Sequence, residues 1–194
     1  TELLFRLVRT AAIELPEGGA MLSSTLEHPA SMSAMKKWAK NTQRDHIIVE
    51  HNDESGSVDE QAYMKKLTSD VRIVSVVHTS PVTGMTVDLE KITKEVRNVT
   101  PDCIIIVDGI QHSSHGAIDV QKYDIDGYVV SPYKMFSRHG YGVAWASDRL
   151  CTLNKEQLAD GPFQNWELGT RDAGSYATFS DVVDYLDWLG SNFT

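Results

Sequence analysis

Two apolar runs, VRIVSVVH at residues 71–78 and CIIIV at residues 103–107, constrain this chain most strongly. Both are nearly continuous and rich in β-branched residues, the pattern of strands buried on both faces. Such strands need cover on each side, and helical crossovers between parallel neighbours supply it. The flanking sequence has the required alternation. Residues 2–15 place Leu3, Leu4, Leu7, Val8, Ala11, Ala12 and Leu15 on one helical face, and Pro16-Glu17-Gly18-Gly19 ends that helix. Residues 21–26 predict a short strand, 32–39 a helix capped by Ser31, 46–50 a strand and 59–67 a helix. Residues 89–99 predict a further helix, 127–131 and 143–146 short strands, and 181–189 a last helix. The expected architecture is one α/β domain over residues 1–194, a three-layer α/β/α sandwich around a mostly parallel sheet.

Composition narrows the function classes. Eighteen Lys+Arg against 27 Asp+Glu give a net charge of −9, which disfavours nucleic acid or an anionic membrane as partner. No apolar run approaches the ~20 residues of a membrane helix, and no signal-peptide pattern opens the chain. Cys103 and Cys151 form no C-x-x-C pair and suit a reducing, cytoplasmic compartment. Cys103, at the head of a buried strand, reads as a core thiol. Asp181, Asp184 and Asp187 read as a solvated helix face, and Trp166, Tyr185 and Trp188 as packing groups.

In sheets of this kind ligands bind beyond the carboxyl ends of the strands. The residues placed there are Glu27-His28, His51, His78-Thr79-Ser80, 108–115 and 131–134. Asp108 follows IIIV directly, so its carboxylate emerges at the rim; alone, it reads equally as a turn cap beside Gly109. Asp108, His112 and His115 together offer one alternative, the ligand set of a metal-dependent hydrolase. No ligand pair at i, i+4 spacing on a predicted helix and no thiolate cluster accompanies them. Lys134 projects from the same rim as Asp108. A rim amine is a nucleophile toward carbonyls, and a rim Asp with a rim Lys suits an aldehyde cofactor that has a ring nitrogen.

The segments LEHPAS, VVHTSPVTG, VDLEKI, IIIVDGIQHSSHGAIDV, DIDGYVVSPYKMFSRHGYGVAW and ELGTRDAG follow one another in the order of the class V aminotransferase family. The chain resembles the large domain of these fold-type I pyridoxal-phosphate enzymes, cysteine desulfurases among them. The resemblance implies pyridoxal 5'-phosphate as cofactor and an amino acid as substrate. It implies that Lys134 forms the Schiff base and then moves the α-proton, that Asp108 pairs with the pyridinium nitrogen, and that Gln111 donates to the phenolic oxygen. His28 would stack on the ring. Ser131, Tyr133 and Thr1 would hold the phosphate, and Thr170 would reach the phosphate of a neighbouring subunit, which makes a homodimer. His139 is expected to be a loop side chain, with Gly140 and Gly142 turning the chain back into the sheet, and His78 is expected near the pocket.

Departures from the family pattern leave the reaction open. Ser131-Pro132-Tyr133-Lys134 replaces the family's common serine-glycine-histidine-lysine, and Pro81 stands where desulfurases usually carry asparagine. Neither cysteine falls in a matched motif. The resemblance further implies that an amino-terminal segment and a carboxy-terminal small domain, which in desulfurases carries the persulfide-forming cysteine, lie outside the chain. Desulfurase or C–S lyase, epimerase and aminotransferase outcomes therefore stand side by side, with a sulfur acceptor if the first holds. A non-catalytic domain that keeps the fold is the remaining alternative.

Overall fold

The computed structural model describes residues 1–160 and 166–193. Among the described residues six α-helices and six strands follow in the order α1 (Glu2–Glu14), β1 (Ala20–Ser24), α2 (Pro29–Asn41), β2 (Asp45–Val49), α3 (Glu60–Met64), β3 (Val71–Val77), α4 (Leu89–Val99), β4 (Ile104–Asp108), β5 (Gly127–Val130), β6 (Val143–Ala146), α5 (Asp148–Cys151) and α6 (Ala173–Phe193). The strands form one sheet in the order β2-β1-β3-β4-β5-β6. All neighbours are parallel except β6, which runs antiparallel along β5. Gly140, at φ +98°, supplies the left-handed turn that sends the chain back as β6.

Strand periodicity sorts the core into two layers. In β4, Ile104 and Ile106 join the cluster formed with Leu4, Leu7 and Val8 of α1 and Ala34 and Met35 of α2. Ile105 and Val107 point the other way, into the cluster with Tyr63 of α3 and Leu89, Ile92 and Val96 of α4. The expected three-layer α/β/α sandwich is thus the observed one. The same alternation carries one residue further: Asp108 falls on the α1/α2 face.

Polar side chains fix the ends of these elements. The Arg44 guanidinium gathers the carbonyls of Ala12, Leu15, Pro16 and Gly18, closing the C-terminus of α1 and the turn after it. α2 begins earlier than the sequence predicts. His28, not Ser31, is its cap: the imidazole Nδ1 accepts from Ala30 N at 3.0 Å, and Pro29 occupies the first turn. α3 is shorter than expected, and begins where Asp59 accepts from Ala62 N at 2.8 Å.

α6 starts eight residues ahead of the expected helix, where the Asp172 carboxylate accepts from Gly174 N and Ser175 Oγ at 3.0 and 2.8 Å. Ser175 is its buried residue. Asp181, Asp184 and Asp187 are exposed, as expected of a solvated face. Tyr185 and Trp188, read as packing groups, are exposed too and stack on each other. Trp166 does pack, against the α1/α2 cluster. Among the described residues no helix is long and apolar enough to cross a membrane.

Candidate active site

The carboxyl ends of β1, β3, β4 and β5 surround a cavity of about 180 Å³. Asp108 forms one wall and is 2% exposed. Its Oδ1 accepts from Ile110 N at 3.1 Å and its Oδ2 from Ser31 Oγ at 2.8 Å. Gly109 is required behind it, because a Cβ there would lie 2.1 Å from the Tyr128 ring. Lys134 and Gln111 lie on the same cavity and are joined to each other, Nζ donating to Oε1 at 2.8 Å. Lys134 sits in a short 3-10 turn, Pro132–Met135, that follows β5 directly.

His28 completes a side wall. Because its Nδ1 accepts from Ala30 N, the proton of the neutral ring resides on Nε2. Thr1, Ser131 and Tyr133 line the remaining side. Thr1 caps α1 without a side-chain hydrogen bond, so the free N–H groups and positive dipole end of a 13-residue helix adjoin the cavity. An acid, an amine, an imidazole and a hydroxyl-lined helix N-terminus therefore converge on one space.

Thr170 is separate from this cavity. It lines an adjoining one of about 540 Å³, which also touches Thr1, Ser131 and Tyr133. His139, exposed in the loop as expected, also lines the adjoining cavity, its ring stacked on Tyr133 with centroids 4.3 Å apart.

The metal reading does not survive the geometry. His112 Nδ1 is engaged by Thr79 Oγ1 at 2.9 Å, its Nε2 lies 3.3 Å from the Ala117 carbonyl, and its ring stacks on His78. His115 is exposed and pairs with Gln111. Among the described residues no group of three or more His, Cys, Asp and Glu could hold a metal ion. His78 stands near the pocket as expected, between the lining residues Val77 and Thr79, but its ring does not line it. It is buried and turned to the α3/α4 side, its Nδ1 2.9 Å from Tyr128 Oη, while Val77, Thr79 and Pro81 line the cavity. Burial and the adjacent His112 lower the His78 pKa to about 4, so this imidazole is neutral at pH 7.

Glu27 was placed at a strand end by the sequence, but its function there was not visible. It is fully buried; Oε1 accepts from Val77 N at 2.9 Å and Oε2 from Ser75 Oγ at 3.1 Å, which stitches β1's exit to β3. Desolvation, then the nearby Asp108 charge, push its pKa up from 4.5 to about 8. The folded chain holds this proton more tightly than the unfolded chain. Glu27 thus contributes most stability below pH 4.5 and loses it as pH rises through about 8. Glu27→Gln, which keeps an acceptor for Val77 N, is expected to flatten that decline. In urea titrations across this window the wild type should lose up to ~1.4 kcal/mol per pH unit and the variant much less. Equal slopes would remove Glu27 from the account.

Cys103 is buried where β4 begins, and burial pushes its thiol up to about 12, in keeping with a core thiol. Cys151 ends α5, and neither cysteine lines the cavity.

The family model described as Aminotransferase class-V matches residues 1–178. The chain belongs to the class-V aminotransferase family. Among relatives in this family, a cysteine desulfurase of Wigglesworthia glossinidia brevipalpis is 36% identical over 84 residues, covering 43% of this chain and 20% of the relative. A probable cysteine desulfurase of Chlamydia trachomatis serovar D is 25% identical over 194 residues, 91% of this chain and 47% of the relative. The fold is that of the cysteine desulfurase CsdA from Escherichia coli, with a TM-score of 0.84 at 24% identity over 100% of this chain and 51% of that one. A cysteine desulfurase from Thermococcus onnurineus NA1 superposes with a TM-score of 0.82 at 20% identity, covering 97% of this chain and 50% of that one. As a class-V chain, this one spans about half or less of the length of these four proteins.

Proposed function

We propose that the chain is the cofactor-binding domain of a pyridoxal-phosphate enzyme that cleaves the C–S bond of a cysteine-type amino acid. One observation carries this reading: a buried Asp108 and an amine, Lys134, line the same cavity, with the α1 N-terminus and hydroxyls at its side. That donor set fits pyridoxal phosphate, with its ring nitrogen, aldehyde and phosphate. The family and its desulfurase relatives support the assignment.

When bound, the cofactor supplies an electron-withdrawing ring that stabilises negative charge at the substrate's α-carbon. Asp108 would hold a proton at the ring nitrogen, which keeps that ring electron-poor. Lys134 Nζ would attach to the cofactor and later carry the proton taken from the α-carbon. Gln111 orients Lys134 and would donate through Nε2 to the cofactor's oxygen. His28 would close one face of the ring. Thr1, Ser131 and Tyr133, with the α1 dipole, would bind the phosphate. The assembly we propose is a cytoplasmic homodimer in which Thr170 serves the partner's phosphate.

Pro81 on the cavity wall favours a second reading within the family, an epimerase or aminotransferase, since proline offers a substrate carboxylate no side-chain hydrogen bond. The test is pyridoxal phosphate uptake by the full-length protein, followed by turnover of cysteine, cystine and a panel of other amino acids. Sulfide release from cysteine in the presence of a thiol reductant, or cysteine persulfide with pyruvate and ammonia from cystine, is the expected result. Amino transfer or racemisation without sulfide would favour the second reading, and no cofactor uptake would overturn both.

A further inference from the structure

Ser31 touches the cavity nowhere, yet it holds the carboxylate that faces it. It is 1% exposed on α2, and its hydroxyl donates to Asp108 Oδ2 at 2.8 Å. A helical serine ordinarily returns its hydroxyl to the carbonyl one turn earlier. Here the hydroxyl goes instead to a side chain 77 residues away in sequence. Its position is set by the cap: His28 and Pro29 fix the first turn of α2, and Ser31 stands at the third place after His28, over the β4 face that bears Asp108. The other carboxylate oxygen is held by Ile110 N. Two donors, one from α2 and one from the turn after β4, each on its own oxygen, fix the plane of a group that would otherwise rotate. Each oxygen keeps a second acceptor site.

We propose that Ser31 is a positioning residue whose hydroxyl fixes the plane and charge distribution of Asp108, so that the carboxylate presents its remaining acceptor site to the ring nitrogen of pyridoxal phosphate. The proposal rests on the reading that this cavity holds that cofactor. Ser31 acts through Asp108 and contacts neither cofactor nor substrate.

The test compares wild type, Ser31→Ala and Ser31→Thr in the full-length protein, by equilibrium titration with pyridoxal phosphate and by the visible spectrum of the bound cofactor. Alanine is the best helix former, so the fold is expected to persist, checked by thermal unfolding. Ser31→Cys keeps the test available if the alanine variant unfolds, since its thiol preserves shape and is only a weak donor. Loss of the hydroxyl should weaken cofactor binding about tenfold, as for a hydrogen bond to a charged group, and shift the visible band. Ser31→Thr, which retains the hydroxyl, should keep both. Unchanged affinity and spectrum in Ser31→Ala, or equal loss in Ser31→Thr, would overturn the role of Ser31 and leave the cofactor reading standing. A wild type that takes up no cofactor would overturn the cofactor reading itself.

Discussion

Lys134→Ala is expected to abolish borohydride-stable attachment of pyridoxal phosphate and to lower turnover by at least about 10³-fold. The amine is held at the cavity by Gln111 Oε1 and lies 6.0 Å from the Tyr133 ring centroid. Its stem leaves a 3-10 turn whose first residue, Pro132, is buried, and the side chain lines the cavity. Removing it deletes the nucleophile without opening a core cavity. Stability should therefore move by no more than about 0.5 kcal/mol. Lys134→Arg separates charge from chemistry, because a guanidinium keeps the positive charge but does not condense with an aldehyde. Both variants should fail alike. Peptide mass spectrometry after reduction identifies the labelled lysine, and label on any other lysine would refute the assignment.

The largest stability effect is expected away from the cavity, at Asp126. Its carboxylate is 2% exposed and gathers three hydrogen-bond donors and a further cation from β4, α4 and the start of α5. Oδ2 accepts from Ile105 N at 2.9 Å and from Arg97 Nη2 of α4 at 2.7 Å. Oδ1 accepts from Ser147 Oγ at 2.9 Å and lies 3.6 Å from Arg149 Nε of α5. Asp126→Ala would strand a buried amide and leave the largely buried Arg97 with its carbonyl partners at Asp124, Pro101 and Cys103 and the exposed Asp124 carboxylate. Breaking a buried pair from one side typically costs about 3–5 kcal/mol. Urea denaturation should show a loss of that size, with Asp126→Asn, which still accepts from Ile105 N, in between. A loss below about 1 kcal/mol would mean that water replaces the carboxylate.

Legibility in the sequence followed the physics of each element. The two β-branched runs marked β3 and β4 because strands buried on both faces admit few other residues, and from β4 the rim position of Asp108 followed directly. His28, Asp108, Gln111, Ser131, Tyr133 and Lys134 were read from ordered motifs and Thr1 from its place at the start of the first helix, and the structure gathers all of them on one cavity. What escaped depends on relations between elements. Ser31 looked like a helix cap because serine is a favoured one, whereas His28 takes that place through its ring. The Ser31–Asp108 bond could have been anticipated only by knowing that α2 covers the β4 face bearing Asp108. His78 turns from the pocket because Tyr128, brought beside it by the pairing of β5 with β4, offers its hydroxyl on the opposite layer. The extent of α6 escaped because its first turns carry no apolar period and are started by Asp172.

The stacked His78–His112 pair has an electrostatic consequence for Asp108. Burial lowers the pKa of both imidazoles, while it raises those of the Tyr128 phenol and of Glu27. At pH 7 these four groups are predominantly uncharged, although each has an ionisable form. None of them supplies a counter-charge to Asp108 from behind the sheet. The Asp108 carboxylate is then not neutralised by these groups, which favours an entering molecule that brings a cation to that wall.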